Sequence, residues 1–115
     1  MIGIEKMPTH VVFRLAQAAG DTRLQRSEVL SLAVISPYSD PEGWVGADEN
    51  GVPMSDPSRV ARKMGAGLST VRKAFAKLED LGYLQWQRGW PREHTVFGGV
   101  TGKVRILPLD PASQS

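Results

Sequence analysis

The chain has 115 residues, enough for one small domain with a buried core but too few for a second, ligand-sensing domain. It contains no cysteine, which excludes disulfide bonds and thiolate metal sites. The formal net charge is +2, yet residues 1–55 hold four Lys and Arg against seven Asp and Glu, whereas residues 56–80 hold six against three and residues 81–115 hold four against two. The basic charge therefore lies in the second half of the chain, as expected for a protein with a phosphate-rich partner.

The sequence predicts neither a membrane span nor a secretion signal. No apolar run in the chain approaches the roughly 18 residues that cross a bilayer. The first residues, MIGIEKMPTH, lack the basic start and the apolar block of a secretory signal. We predict that residues 1–8 form a loose arm and that the protein is cytoplasmic.

Two helices are predicted in the first third of the chain. The first covers residues 9–19 and stops at Gly20. Its apolar positions are Val11, Val12, Leu15, Ala16 and Ala19. This helix either completes the core or packs against a second copy in a homodimer, and the first alternative is favoured because so short a chain needs extra cover for its core. The second helix starts at Asp21 or Thr22 and runs to about Ser36, and its apolar second half indicates burial on several sides.

The link from Ser36 to Met54 is rich in proline and glycine and is predicted to be irregular. Asn50 and Gly51 mark a tight turn, and Val52 to Met54 are predicted to form a short strand that pairs with the later hairpin. Trp44 is predicted to pack the link onto the domain. The acidic run at Asp48 lacks the alternating ligands of a calcium loop, so no metal site is predicted.

A helix-turn-helix is predicted over residues 56–82. Asp56 caps the first helix, Pro57 occupies its first position, and Gly65 ends it. The second helix, predicted over residues 69–81, has one apolar stripe and a cationic face opposite to it. The stripe consists of Val71, Ala74, Phe75 and Leu78, and the opposite face consists of Ser69, Arg72, Lys73, Ala76 and Lys77.

Residues 83–108 alternate as two strands of a hairpin, which would form a wing beside the helices. In the first strand Leu84, Trp86, Arg88 and Trp90 share one face. The second strand should turn Val104 and Ile106 inward, and a glycine-rich turn over 91–102 joins the two. Trp86 and Trp90 are predicted to anchor the core or the wing rather than to stack on bases. Residues 109–115 are predicted to be a flexible tail.

The helix-turn-helix carries a family resemblance. The segment VARKMGAGLSTVRKAFAKLEDLGYL (60–84) resembles, without a gap, the run close to LARxLGVSxxTVRxALxxLxxxGLI of GntR-type bacterial regulators. The preceding ADENGVPMS resembles the approach to the motif in small phage and plasmid helix-turn-helix proteins, including replication initiators. The resemblance implies an α+β winged helix-turn-helix, with a three-helix core, an extra N-terminal helix and a C-terminal β-hairpin. A full regulator of the GntR type is not expected, because the residues after Leu84 leave no room for its effector domain.

The candidate DNA-binding residues surround the two helices of the motif and the wing. Arg72 and Lys73 lie early on the cationic face, and an Arg there can donate two hydrogen bonds to guanine. Ser69 and Thr70 start the helix, where hydroxyls and amides hold phosphate. Leu68 stands where GntR-type proteins often have a polar residue, and it either contacts a thymine methyl or packs inward. The remaining candidates, for the backbone or the minor groove, are Ser55, Ser58, Arg59, Arg62, Lys77, Arg88, Arg92 and His94.

These features predict a non-enzymatic protein that binds double-stranded DNA, either a small transcriptional regulator or a replication, partition or transfer factor of a mobile element. Helix 69–81 would read the major groove, and the wing the backbone or the minor groove. The alternative is a winged helix that serves as a protein-interaction module in a larger assembly. No catalytic site, cofactor or small-molecule effector is expected, since His10 and His94 lie far apart and have no evident carboxylate partner.

Overall fold

The computed structural model describes residues 7–87 and 102–108, which form an α+β unit with four α-helices and a two-stranded antiparallel hairpin. The elements in chain order are α1 (Thr9–Ala19), α2 (Arg26–Ile35), a 3₁₀ turn (Ser36–Tyr38), α3 (Pro57–Met64), α4 (Leu68–Asp80), β1 (Leu84–Gln87) and β2 (Lys103–Ile106). This arrangement is compatible with a winged helix. The predicted arm before residue 7, most of the wing turn and the tail 109–115 lie outside the described residues.

Helix α4 is the centre of the core and packs against α2, α3 and β1. Its predicted apolar stripe is confirmed, because Val71, Ala74, Phe75 and Leu78 are all buried. The Phe75 ring meets Trp86 of β1 edge to face, with ring centroids 5.5 Å apart. The tryptophan therefore anchors the hairpin to the helices, as the sequence predicts.

Helix α1 has the predicted bounds and covers one side of the core with Val11 and Ala18. Arg14 lies on the same face and is buried, with its guanidinium 4.2 Å from the centre of the Tyr83 ring. It donates hydrogen bonds to the side chain of Gln17 and to the carbonyl of Gly82, just beyond the end of α4. Helix α1 is thus tied to the C-terminal end of the helix at the centre of the core.

Helix α2 begins at Arg26, later than the predicted start at Asp21 or Thr22. The Asp21 carboxylate accepts hydrogen bonds from the backbone and side chain of Arg23 and from the Tyr83 hydroxyl, so these residues form a turn instead of a helix. A capping box between Gln25 and Glu28 then starts the helix. The local hydrogen bonds of Asp21 compete with helix formation, which is why the prediction is wrong by one turn.

The link contributes to the sheet, but through different residues from those predicted. Val52 does not pair with the hairpin, because its amide and its carbonyl are both bonded to Asp48 across the Asn50–Gly51 turn. Instead the Val45 amide donates to the Val104 carbonyl (2.9 Å), and the Ile106 amide donates to the Gly43 carbonyl (2.7 Å). Trp44 forms an antiparallel bridge with Arg105 and holds its guanidinium over the indole ring. Strand β2 is therefore bonded on both edges.

In the described part of the hairpin, more buried and more exposed side chains alternate along each strand as predicted. Leu84 pairs with Ile106 and Trp86 with Val104, and the side chains of Leu84, Val104 and Ile106 are buried. Gln85 and Gln87, on the opposite face, are exposed. One face of the hairpin thus closes the core beneath α4.

Candidate nucleic-acid interface

The turn between α3 and α4 has the geometry that its sequence predicts. The Asp56 side chain accepts a hydrogen bond from the Ser58 amide, and Pro57 takes the first helical position of α3. Gly65 ends α3 in the left-handed conformation, with φ of 68°, and the Ala66 amide donates to the Ala61 carbonyl. Gly67 then caps α4, which starts one residue before the predicted position.

The outward face of α4 is cationic and accessible. Its exposed residues are Ser69, Thr70, Arg72, Lys73, Ala76 and Lys77. Within residues 7–87 and 102–108, no hydrogen bond or ion pair engages Arg72, Lys73 or Lys77. The small side chain of Ala76 lies between these cations on the helix surface. The three charges are therefore available to an external anion, and the helix backbone can approach it closely.

The N-terminal end of α4 adds partial positive charge to this face. The first turn contains no acidic residue, and because the capping residue is Gly67, no side chain accepts a hydrogen bond from the first amides of the helix. The first amides of a helix have no partner within the helix and carry the positive end of its dipole. Ser69 and Thr70, both exposed, lie beside these amides. The arrangement suits a phosphate group at the start of the helix.

The candidates around α3 divide into two groups. Arg62 is exposed and has no partner in the described part of the chain, and Ser58 is exposed while its hydroxyl donates to Asp56. Ser55, by contrast, is buried and donates its hydroxyl hydrogen bond to the Gly102 carbonyl at 2.7 Å. Arg59 is held by Asp48. The side chains of Ser55 and Arg59 are thus already engaged within the chain, where they hold the hairpin and the link in place.

The carboxylate of Asp48 organises the link and was not identified from the sequence. One oxygen accepts the amides of Asn50 and Val52, and the other receives the Arg59 guanidinium at 2.6 and 2.7 Å, with the Lys63 ammonium at 3.6 Å. Burial of this carboxyl raises its pKa, but the amide and guanidinium hydrogen bonds outweigh that effect and hold the pKa at about 2. The acidic residue two positions before Asn50–Gly51 is the sequence signal that could have indicated such a turn.

Acid should weaken the fold through this carboxylate. The pKa of Asp48 is about 2 in the folded chain, against an ordinary value of 3.8. The ionised carboxylate therefore stabilises the fold fully above pH 3.8, and this stabilisation is lost as the pH falls towards 2. We expect the urea midpoint of unfolding to fall over this pH range, and to fall less steeply in Asp48→Asn. Asp80→Asn, at an exposed position, is the matched control. An equal pH dependence of the urea midpoint in the two variants would show that Asp48 does not stabilise the fold through its ionised carboxylate.

The predicted wing contacts are described only in part. Arg88, Arg92 and His94 lie outside the described residues. On β2, Lys103 is exposed, whereas Arg105 donates to the Glu42 carbonyl and covers the Trp44 ring. Among the described residues of the motif and the hairpin, the cations that face solvent without a partner are thus Arg62, the three of α4 and Lys103.

Neither a metal site nor a membrane-spanning helix is found in residues 7–87 and 102–108. No group of three or more His, Asp or Glu there could hold a metal ion. His10 has its Nε2 atom 3.2 Å from the Ile106 carbonyl, so its ring joins α1 to β2. In the same part of the chain, every helix is too short or too polar to cross a bilayer.

Comparison with known proteins adds no relative to this description. Neither the family models, nor the curated proteins, nor the solved structures contain a match to the chain.

Proposed function

We propose that this chain is a non-enzymatic protein that binds double-stranded DNA and reads the major groove with α4. The observation that supports the proposal is the outward face of α4, where Arg72, Lys73 and Lys77 are exposed and unpaired within the described residues. The rest of the helix is fixed from behind by its buried stripe. A rigid helix with a cationic outer face fits the width of the major groove, about 12 Å.

The roles of the residues follow from their positions along α4. Arg72 lies one turn into the helix and would donate two hydrogen bonds to a guanine edge. Lys73 and Lys77 would contact phosphates or base acceptors, and the amides and hydroxyls at Ser69 and Thr70 would hold the sugar-phosphate backbone. In the wing, Arg88, Arg92 and His94 would reach the backbone or the adjacent minor groove.

The biological role that fits such a protein is that of a small transcriptional regulator, or of a replication, partition or transfer factor of a mobile element, acting in the cytoplasm. A homodimer on a palindromic site is consistent with the exposed side of α1, where Phe13 is 69% exposed. Sedimentation of the free protein and of its DNA complex tests this point. A mass of one chain in both states would contradict the dimer.

The first experiment compares two arginine variants on selected duplexes. Sites are selected from a random duplex pool, and affinities are measured by fluorescence anisotropy at several salt concentrations. We expect affinity to fall linearly with salt on logarithmic axes, because released counterions drive binding. Arg72→Ala should reduce discrimination between the selected site and random duplex by roughly 1–3 kcal/mol.

The matched control is Arg26→Ala, which removes the same charge from another exposed helical position. Arg26 starts α2, and the turn before it is bonded through Asp21 to Tyr83, beyond the C-terminal end of α4. The control should retain the discrimination of the unmodified protein. Unchanged discrimination in Arg72→Ala would refute the role of that residue. Absence of any duplex binding at low salt would refute the proposal and favour a protein-interaction module.

A further inference from the structure

Leu68 places an apolar side chain at the edge of the cationic face of α4. It is the first residue of the helix and is 38% exposed. Among the described residues the other exposed large apolar side chains are Phe13 and Leu30, which are more exposed than Leu68 and lie on α1 and α2. Leu68 is therefore the large exposed apolar side chain of the helix that we propose to enter the groove.

The geometry of α4 fixes what Leu68 adjoins. Residues four apart are neighbours on a helix surface, so Leu68 lies directly beside Arg72. Val71, three positions after Leu68, is fully buried and belongs to the apolar stripe. Leu68 thus lies between the buried stripe and the cationic face. The inward packing that the sequence left open is only partial, and the outer part of the side chain faces the same side as Arg72.

The edges of base pairs offer one apolar partner in the major groove. Guanine, cytosine and adenine are recognised there by their hydrogen-bond donors and acceptors, whereas thymine adds a methyl group at C5. A leucine pressed against donors or acceptors would remove them from water without replacing their hydrogen bonds. A leucine against the methyl group removes two apolar surfaces from water together.

We propose that Leu68 selects thymine in the DNA site by packing against its 5-methyl group. The proposal rests on the proposed function and assigns part of its sequence preference. Along the helix, Leu68 is about 6 Å from Arg72, and base pairs are stacked about 3.4 Å apart. The thymine should therefore lie within about two base pairs of the guanine that Arg72 contacts.

The test removes the methyl group from the DNA and the leucine from the protein, separately and together. Each thymine of a selected duplex is replaced in turn by uracil, which lacks only the 5-methyl group. One replacement near the Arg72 guanine should weaken binding of the unmodified protein about fourfold, the effect of losing one buried methyl contact. Leu68→Ala should bind the thymine and uracil duplexes equally.

Leu30→Ala is the matched control, because it makes the same change at an exposed leucine of α2. It should retain the preference for thymine, and circular dichroism should show that both variants are folded. Salt-dependent binding with no uracil effect at any position would overturn the role of Leu68 and leave the proposed function standing. The same thymine preference in Leu68→Ala would also overturn it. Failure to bind any duplex would overturn the proposed function itself.

Discussion

Replacing Gly43 by alanine should destabilise the fold by about 2–6 kcal/mol, because the new methyl group meets backbone and the residue is held at positive φ. Gly43 has φ of 92°, and a Cβ atom there would overlap the Ile106 carbonyl oxygen and would lie 2.9 Å from His10 Nε2. The carbonyl belongs to β2 and cannot rotate away as a side chain would. The link and β2 would have to separate and lose the hydrogen bond between the Ile106 amide and the Gly43 carbonyl.

Gly51→Ala is the control that isolates the backbone contribution. Gly51 has φ of 78°, but a Cβ atom there would have no neighbour within 4 Å among the described residues. The free energy of unfolding of this variant should fall only by the cost of placing alanine in a left-handed conformation, about 1–2 kcal/mol. Urea unfolding followed by tryptophan fluorescence compares the two. A Gly43→Ala protein no less stable than Gly51→Ala would show that the contact between link and β2 has been placed wrongly.

Phe75→Ala should lower the free energy of unfolding by about 3–5 kcal/mol, since it opens a cavity beneath α4. The Phe75 side chain is fully buried and supports the Trp86 ring of β1 edge-on. Small domains are stable by about 5–15 kcal/mol, so the change removes a large share of the total.

Phe13→Ala makes the same change on the exposed side of α1, where the ring is 69% exposed. Its effect on the urea midpoint should correspond to no more than about 0.5 kcal/mol. Equal losses in the two variants would contradict the placement of the core. A loss in Phe13→Ala that grows with protein concentration would instead indicate that α1 packs against a second copy.

The features that could be predicted from the sequence are those fixed by neighbouring residues. The apolar stripe of α4 follows from helical periodicity, and the cap at Asp56 and the stop at Gly65 follow from local backbone chemistry. The outward direction of Arg72 and Lys73 follows in turn, because the stripe determines which face is buried. Each of these predictions requires information from within one or two turns of helix.

The features that could not be predicted depend on residues far apart in the chain. Arg59 looked like any other cation of α3, because nothing in its neighbourhood indicates that Asp48, eleven positions earlier, holds it. The prediction that Val52 pairs with the hairpin is wrong, because the hydrogen bonds of Asp48 hold Val52 in the turn and Val45 bonds to β2 instead. Likewise Arg14 lies on the buried face of α1, but its acceptor at Gly82 is 68 residues away.

The attachment of β2 on both edges also sets an order of events during folding. Its partners in the link and in β1 precede it in the chain, by about sixty residues in the pairing of Val45 with Val104. A ribosome therefore synthesises the four described helices before the strand that closes the sheet, and synthesis runs at about 5–20 residues per second. Until that strand emerges, the hydrogen-bonding groups of Gly43 and Val45 remain open, and the nascent chain is exposed to pairing with other strands during that interval.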